Sequence, residues 1–149
     1  MKIKAVIFDM DGIILDTETL LEKYWRAAAK EFGFEMSREQ ALELRSLAGE
    51  YASPLLKKYF GEGFDYAVVR NRRKRLMEED IAQNGLKKKK GAEEALEYIK
   101  KLGLKRALAT ATDIERAEKY MKKVELYDKF DCVCCGPMVK HGKPSPDIY

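Results

Sequence analysis

The run Lys4–Phe8 (KAVIF) is short, apolar and partly β-branched, and it stops abruptly at Asp9-Met10-Asp11-Gly12. An apolar run of this length bounded by turn residues reads as a buried strand of a parallel sheet. A parallel strand needs partners reached by crossover helices, so the rest of the chain must supply both. Two further runs qualify as strands: Leu104–Thr110 (LKRALAT) and Phe130–Gly136 (FDCVCCG), each ending in small or turn-forming residues. Helical patterns lie between them. Gly91–Leu102 places Ala92, Ala95, Leu96, Ile99 and Leu102 on one face. Ile114–Leu126 carries Ala117, Met121 and Val124 behind a capping box expected from Thr112 to Glu115. This alternation predicts an α/β fold with a doubly wound parallel sheet.

Residues 16–86 break the alternation, because they contain no good strand. Leu20, Leu21, Tyr24, Trp25 and Ala28 mark one amphipathic helix, and Ser37 with Gln40 caps a second. Ser53-Pro54 reads as the N-cap and first residue of a third, and Phe64 to about Gln83 as a fourth. The expected division is therefore a discontinuous core, 1–15 and 87–149, with a four-helix insert at 16–86. The lysine run Lys87–Lys90 reads as a linker.

Composition narrows the function classes. A chain of 149 residues is sized for one domain, or one domain with an insert. No apolar run approaches the roughly 18 residues of a membrane span. The N-terminus, MKIKAVIFDMDG, meets acidic residues too soon for a secretory signal. The three cysteines, an odd number, fall at Cys132, Cys134 and Cys135, which is no disulfide framework. These features predict a cytoplasmic location.

Asp9 and Asp11 close the first strand at its C-terminal end, the edge where open α/β sheets bind ligands. Two carboxylates at that spacing can serve as nucleophile and general acid/base, and can together hold a hard cation such as Mg²⁺. The ordinary reading is an acidic strand-end turn.

FDMDGIILDTE resembles the first motif of the haloacid dehalogenase (HAD) superfamily, in its phosphatase and phosphomutase branch. LATAT resembles the second motif and GKPSPDIY the third, in the same order. A helical insert directly after the first motif resembles the cap of the subgroup holding β-phosphoglucomutase and phosphoglycolate phosphatase. The resemblance implies a Rossmann-like core with an inserted four-helix cap, and a Mg²⁺-dependent hydrolase of a small phosphorylated metabolite. Asp9 would attack phosphorus to give an aspartyl-phosphate, and Asp11 would protonate the leaving oxygen and then activate water. Gly12 would allow the sharp turn. Thr110, with Ala111 and Thr112, would bind the phosphoryl oxygens, and Lys143 would offset charge. Mg²⁺ would lie between the Asp9 carboxylate and the Asp11 backbone carbonyl.

The family's fourth motif, an acidic pair beyond the lysine motif, has no counterpart before Tyr149. The resemblance thus implies a C-terminally incomplete core that binds Mg²⁺ poorly and turns over little. It also implies a strand order of 5-4-1-2-3, of which this chain supplies 1, 2 and 3. The first strand becomes an apolar edge, inviting self-association.

On substrate, sugar phosphomutases of this branch carry a histidine in the first cap helix and an arginine after the cap's glycine turn. TETLLEKYW has no histidine, and Glu50-Tyr51-Ala52-Ser53 after Gly49 has no arginine. A phosphate monoester hydrolase is therefore preferred to a mutase. A non-catalytic protein on the same scaffold is the remaining alternative. Phosphonate hydrolases of the family use a cap lysine, for which Lys23 is a loose candidate that reads better as a solvated helix residue; Glu18, Tyr24 and Arg45 could select substrate, but their spacing suits packing or surface better.

Two other features are read conservatively. Arg70–Arg75 (RNRRKR) is followed at once by Glu78-Glu79-Asp80, which suits a solvated helix face better than nucleic acid. Cys132, Cys134, Cys135 and the sole histidine, His141, lack metal-site spacing, so buried strand cysteines and a loop histidine are expected.

Overall fold

The structure, a computed structural model, describes residues 2–45 and 47–149. It divides into two compact units, one formed by Met1–Asp16 with Leu86–Tyr149, the other by Thr17–Gly85.

The first unit holds three parallel strands, β1 (Ala5–Phe8), β2 (Lys105–Thr110) and β3 (Cys132–Cys135), in the order β1-β2-β3. Two helices accompany them, α5 (Ala92–Lys101) and α6 (Ile114–Lys123), the first four helices belonging to the other unit. Register places Ile7 beside Ala107 and Ala107 beside Cys132, and on the opposite face Phe8 beside Leu108 and Leu108 beside Val133. Right-handed crossovers in this order put α5 and α6 on one face of the sheet. The exposure pattern agrees: Leu108, Thr110 and Cys135 share a face and are buried, while Ile7 and Cys132 on the other face are exposed. The strand cysteines are therefore not all buried, as their apolar run had suggested. Only Cys135 is, and burial pushes its thiol up to about 11.

Between β1 and the second unit the chain makes one tight loop. Gly12, at φ +79°, adopts a conformation that side chains disfavour, and its N–H donates to Leu15 O at 2.8 Å. Leu15 N–H returns to Met10 O at 2.9 Å. The following residues clip onto the lysine run: Asp16 N–H donates to Lys87 O at 2.8 Å and Lys89 N–H to Ile14 O at 2.9 Å. The lysine run is thus a paired segment of the core rather than a linker, a role set by its backbone and invisible in its side chains.

The second unit is all helical, with α1 (Glu18–Glu31), α2 (Arg38–Glu43), α3 (Gly49–Phe60) and α4 (Tyr66–Asn84). Trp25, Ala28, Leu56, Phe64 and Val69 belong to its core. Phe64 stacks on Phe60 at 5.1 Å and meets Phe34 at 4.9 Å. The α2 capping box is present in both directions, Gln40 N–H to Ser37 Oγ at 3.2 Å and Ser37 N–H to Gln40 Oε1 at 2.9 Å. α3 differs from expectation. It starts at Gly49, so Pro54 lies inside it rather than at its first residue. The extra turn buries Ala52 in the core, which offsets the backbone bond that the proline cannot donate. Among the described residues, no helix is long and apolar enough to cross a membrane.

Ion pairs tie the surface of the first unit together. Lys129 reaches Glu97 at 2.5 Å and Glu93 at 3.3 Å, and Lys88 reaches Glu93 at 2.5 Å. The hydrogen bond from Lys129 holds the Glu97 carboxyl below its ordinary value of 4.5, and those from Lys88 and Lys129 do the same for Glu93. Groups lowered on folding stabilise the chain above the ordinary value, and that contribution disappears as pH falls through the folded values. We therefore expect Lys129→Met to be less stable than the parent in urea at pH 7, with the gap closing below about pH 4 as the carboxylates protonate. A gap that persists at low pH would assign the loss to packing instead.

Candidate active site

The C-terminal ends of β1 and β2 carry most of the candidate site residues of the first unit. β1 ends at Phe8 and delivers Asp9, and Asp11 follows at the start of the Gly12 loop. β2 ends at Thr110 and opens into Ala111-Thr112, ahead of α6. The α6 N-cap is Asp113, whose carboxylate accepts Arg116 N–H at 3.1 Å. The expected cap, Thr112, is one residue early. Its hydroxyl instead donates to Asp11 Oδ2 at 3.1 Å, linking the ends of two strands.

Lys143 comes from the C-terminal loop and is only 7% exposed. Its ammonium donates to Asp9 Oδ1 at 2.9 Å and to the Ala109 carbonyl at 2.8 Å. Asp9 Oδ1 also accepts the Met10 N–H at 2.8 Å. A cation so placed lies between the first and second strands and compensates a carboxylate that is itself largely covered. Thr110 is fully buried, and its Oγ accepts the Thr112 N–H at 3.1 Å. Accepting that bond leaves the hydroxyl proton of Thr110 available to donate. Hydrogen bonds thus link Asp11, Thr112 and Thr110 in one group and Asp9, Lys143 and the Ala109 carbonyl in another, and the two meet where Ala109 precedes Thr110 at the end of β2.

Two features at these strand ends have no signal in the sequence. One is the Ala109 carbonyl as second acceptor for Lys143, a backbone group with no residue signature. The other is Gly136, just after β3. A Cβ there would sit 2.8 Å from the Ala111 carbonyl oxygen, so the backbones at the ends of β2 and β3 approach too closely for any side chain.

Other candidates sit elsewhere. Glu18 and Arg45 form an ion pair, Tyr24 is buried, and Lys23 lies over the Tyr24 ring at 4.8 Å and within 3.8 Å of Asp80. From the basic run, Arg72 pairs with Glu31 and Arg73 packs over Trp25. The backbone N–H of His141 donates to Asp147 in the loop before Lys143.

Among the described residues, no three His, Cys, Asp or Glu side chains converge as a metal site. The donors present, the carboxylates of Asp9 and Asp11, are hard oxygens at one strand end. That set suits Mg²⁺, which is commonly held by one or two carboxylates with water and substrate oxygens completing its shell.

The family profile of haloacid dehalogenase-like hydrolases matches residues 6–149. The chain belongs to that family. It is 34% identical over 148 residues to the phosphorylated carbohydrates phosphatase of Thermotoga maritima, covering 98% of this chain and 67% of the relative. Hexitol phosphatase B of Escherichia coli is 26% identical, covering 99% of this chain and 67% of the relative. A Thermotoga maritima structure assigned as a β-phosphoglucomutase superposes with a TM-score of 0.67 at 31% identity, over 99% of this chain and 68% of that one. A β-phosphoglucomutase from Clostridium difficile gives 0.80 at 22% identity, over 99% and 68%, which supports the fold. Within the family the chain lies with the phosphatases and β-phosphoglucomutases, an enzyme of the HAD phosphatase type. It spans about two thirds of the length of these relatives.

The Gly136 contact gives a prediction. Gly136→Ala forces the Ala111 carbonyl aside and should cost about 1–3 kcal/mol, lowering Tm by roughly 2–4 °C per kcal/mol for a chain of this size. Differential scanning calorimetry checks this, and an unchanged Tm would show that the strand ends are loosely joined.

Proposed function

We propose that this chain carries the phosphoryl-transfer residues of a phosphatase acting on small phosphorylated carbohydrates. The observation that carries this reading is the Lys143 ammonium, hydrogen-bonded at once to Asp9 and to the end of β2. The names of the relatives, a phosphorylated carbohydrates phosphatase and a hexitol phosphatase, support the substrate class.

Each residue has a distinct task in this mechanism. Asp9, oriented through Oδ1 by Lys143 and the Met10 N–H, attacks phosphorus and becomes an aspartyl-phosphate. Asp11, held by Thr112, gives a proton to the departing sugar oxygen and then takes one from the water that hydrolyses the acyl phosphate. The Thr110 hydroxyl donates to a phosphoryl oxygen, Ala111 and Thr112 line the same loop, and Gly12 keeps the chain clear after the aspartate pair. Lys143 offsets the charge that builds on the transferring group. Mg²⁺, held by Asp9 and Asp11 when bound, would neutralise phosphate charge that otherwise repels the nucleophile.

Hydrolysis is preferred to mutase chemistry for a residue reason. The first turn of α3, Gly49-Glu50-Tyr51-Ala52, has no arginine, and α1 has no histidine to handle a second phosphate ester.

The test is phosphate release from a panel of sugar phosphates with Mg²⁺. It is run on the chain alone and on the chain completed in cis with the remaining third of the Thermotoga phosphatase. We expect weak release alone and stronger release when completed. Asp9→Asn should abolish it, and Asp11→Asn should slow it by about 10²–10⁴-fold. Release that survives Asp9→Asn would refute the mechanism, and a folded, completed chain inert on every sugar phosphate would refute the substrate class.

A further inference from the structure

Lys143 reaches Asp9 and the Ala109 carbonyl from a loop of the first unit, not from the end of a strand. A lysine stem is flexible, so its ammonium returns to one place only when its backbone is fixed. Asp147 supplies that restraint. Its Oδ2 accepts the His141 N–H at 3.2 Å, and its Oδ1 accepts the Ser145 hydroxyl at 2.7 Å. One donor precedes Lys143 in the chain and the other follows it, so a single carboxylate spans the lysine. The Ser145 N–H closes the same turn on the Gly142 carbonyl at 2.9 Å. Ile148, next in the chain, is buried and seats the end of the loop. Hydrogen bonds from the Ser145 hydroxyl and the His141 N–H hold the Asp147 carboxyl below its ordinary value of 3.8. It is therefore charged at neutral pH and offers both oxygens as acceptors. Asp147 is exposed, so its effect on the site runs through these bonds rather than through packing.

We propose that Asp147 is a positioning residue for Lys143: by bonding the loop on both sides of the lysine, it fixes where the ammonium meets Asp9 and the end of β2. The placement stands on the geometry of the loop, while its kinetic consequence rests on the reaction proposed above. In that reaction Lys143 offsets charge in the transition state, and a displacement of about 1 Å from the productive geometry can cost about 10²-fold. Losing Asp147 loosens Lys143 without removing it, so the cost falls below that of losing the lysine itself.

Two measurements separate the placement from the reaction. The first is the rate at which acetic anhydride acetylates Lys143 in the folded chain, read by mass spectrometry with the exposed Lys30 and Lys101 as internal references. Asp147→Ala should raise the Lys143 rate about fivefold or more relative to both references, because the loop opens locally. Ser145→Ala removes one of the two bonds and should raise it less. Circular dichroism establishes that each variant folds, and Ser145→Ala decides the matter if Asp147→Ala does not. The second measurement is a double-mutant cycle on sugar phosphate hydrolysis. Asp147→Ala should lower kcat about tenfold with KM within about twofold, and should lower it no further in a Lys143→Met background. An unchanged acetylation rate at Lys143 in the folded variant overturns the proposal. So do losses that add across the cycle, which would assign Asp147 a general structural role. A parent that releases no phosphate would count against the reaction instead, and the acetylation rates then decide the placement.

Discussion

The Lys143 ammonium is the contact on which the organisation of the first unit turns. It draws the C-terminal loop onto the ends of β1 and β2 by bonding Asp9 at 2.9 Å and the Ala109 carbonyl at 2.8 Å. A lysine this deeply covered must have its charge answered, and Asp9 answers it. The same pairing serves the proposed chemistry, because a carboxylate fixed by a cation is poised toward one direction of attack. Stability and the proposed reactivity therefore share a single ion pair.

Around that pair, the site is assembled from short connections rather than from side-chain packing. The Gly12 loop returns the backbone to Met10, the Thr112 hydroxyl spans to Asp11, and Gly136 lets β3 close against Ala111. Each depends on backbone geometry at one or two residues. The segments Ile14–Asp16 and Lys87–Lys89 fasten the two crossings of the chain between its units side by side, so a long helical insertion leaves the strand ends in place.

Much of this was legible in the sequence because it rests on period and punctuation. Three apolar runs ending in Asp9, Thr110 and Gly136 marked the strands, and spaced apolar residues marked the helices. The Ser37–Gln40 capping box was read correctly because both partners are side chains with few alternatives. The candidate site residues could be proposed because they fall at strand ends, in motifs that resemble those of the haloacid dehalogenase superfamily. Where the reading differed, a tertiary effect outweighed a local one. Thr112 gave up the α6 cap to bond Asp11, and Asp113 replaced it. Ser53-Pro54 looked like a helix start, but burial of Ala52 carried α3 back to Gly49. The lysine run looked like a linker because its side chains are charged, while its backbone pairs with the Gly12 loop. The cysteines of β3 looked uniformly buried, but strand alternation exposes Cys132 on the uncovered face.

In the proposed reaction Asp9 is the group that receives phosphate. Single-turnover trapping tests it most directly: the chain is mixed with a sugar phosphate and Mg²⁺, quenched in acid, digested and examined by mass spectrometry. The account predicts a phosphoryl adduct on the peptide containing Asp9, absent from Asp9→Asn. Sugar phosphate hydrolysed with no adduct, or with the adduct on another residue, would contradict it.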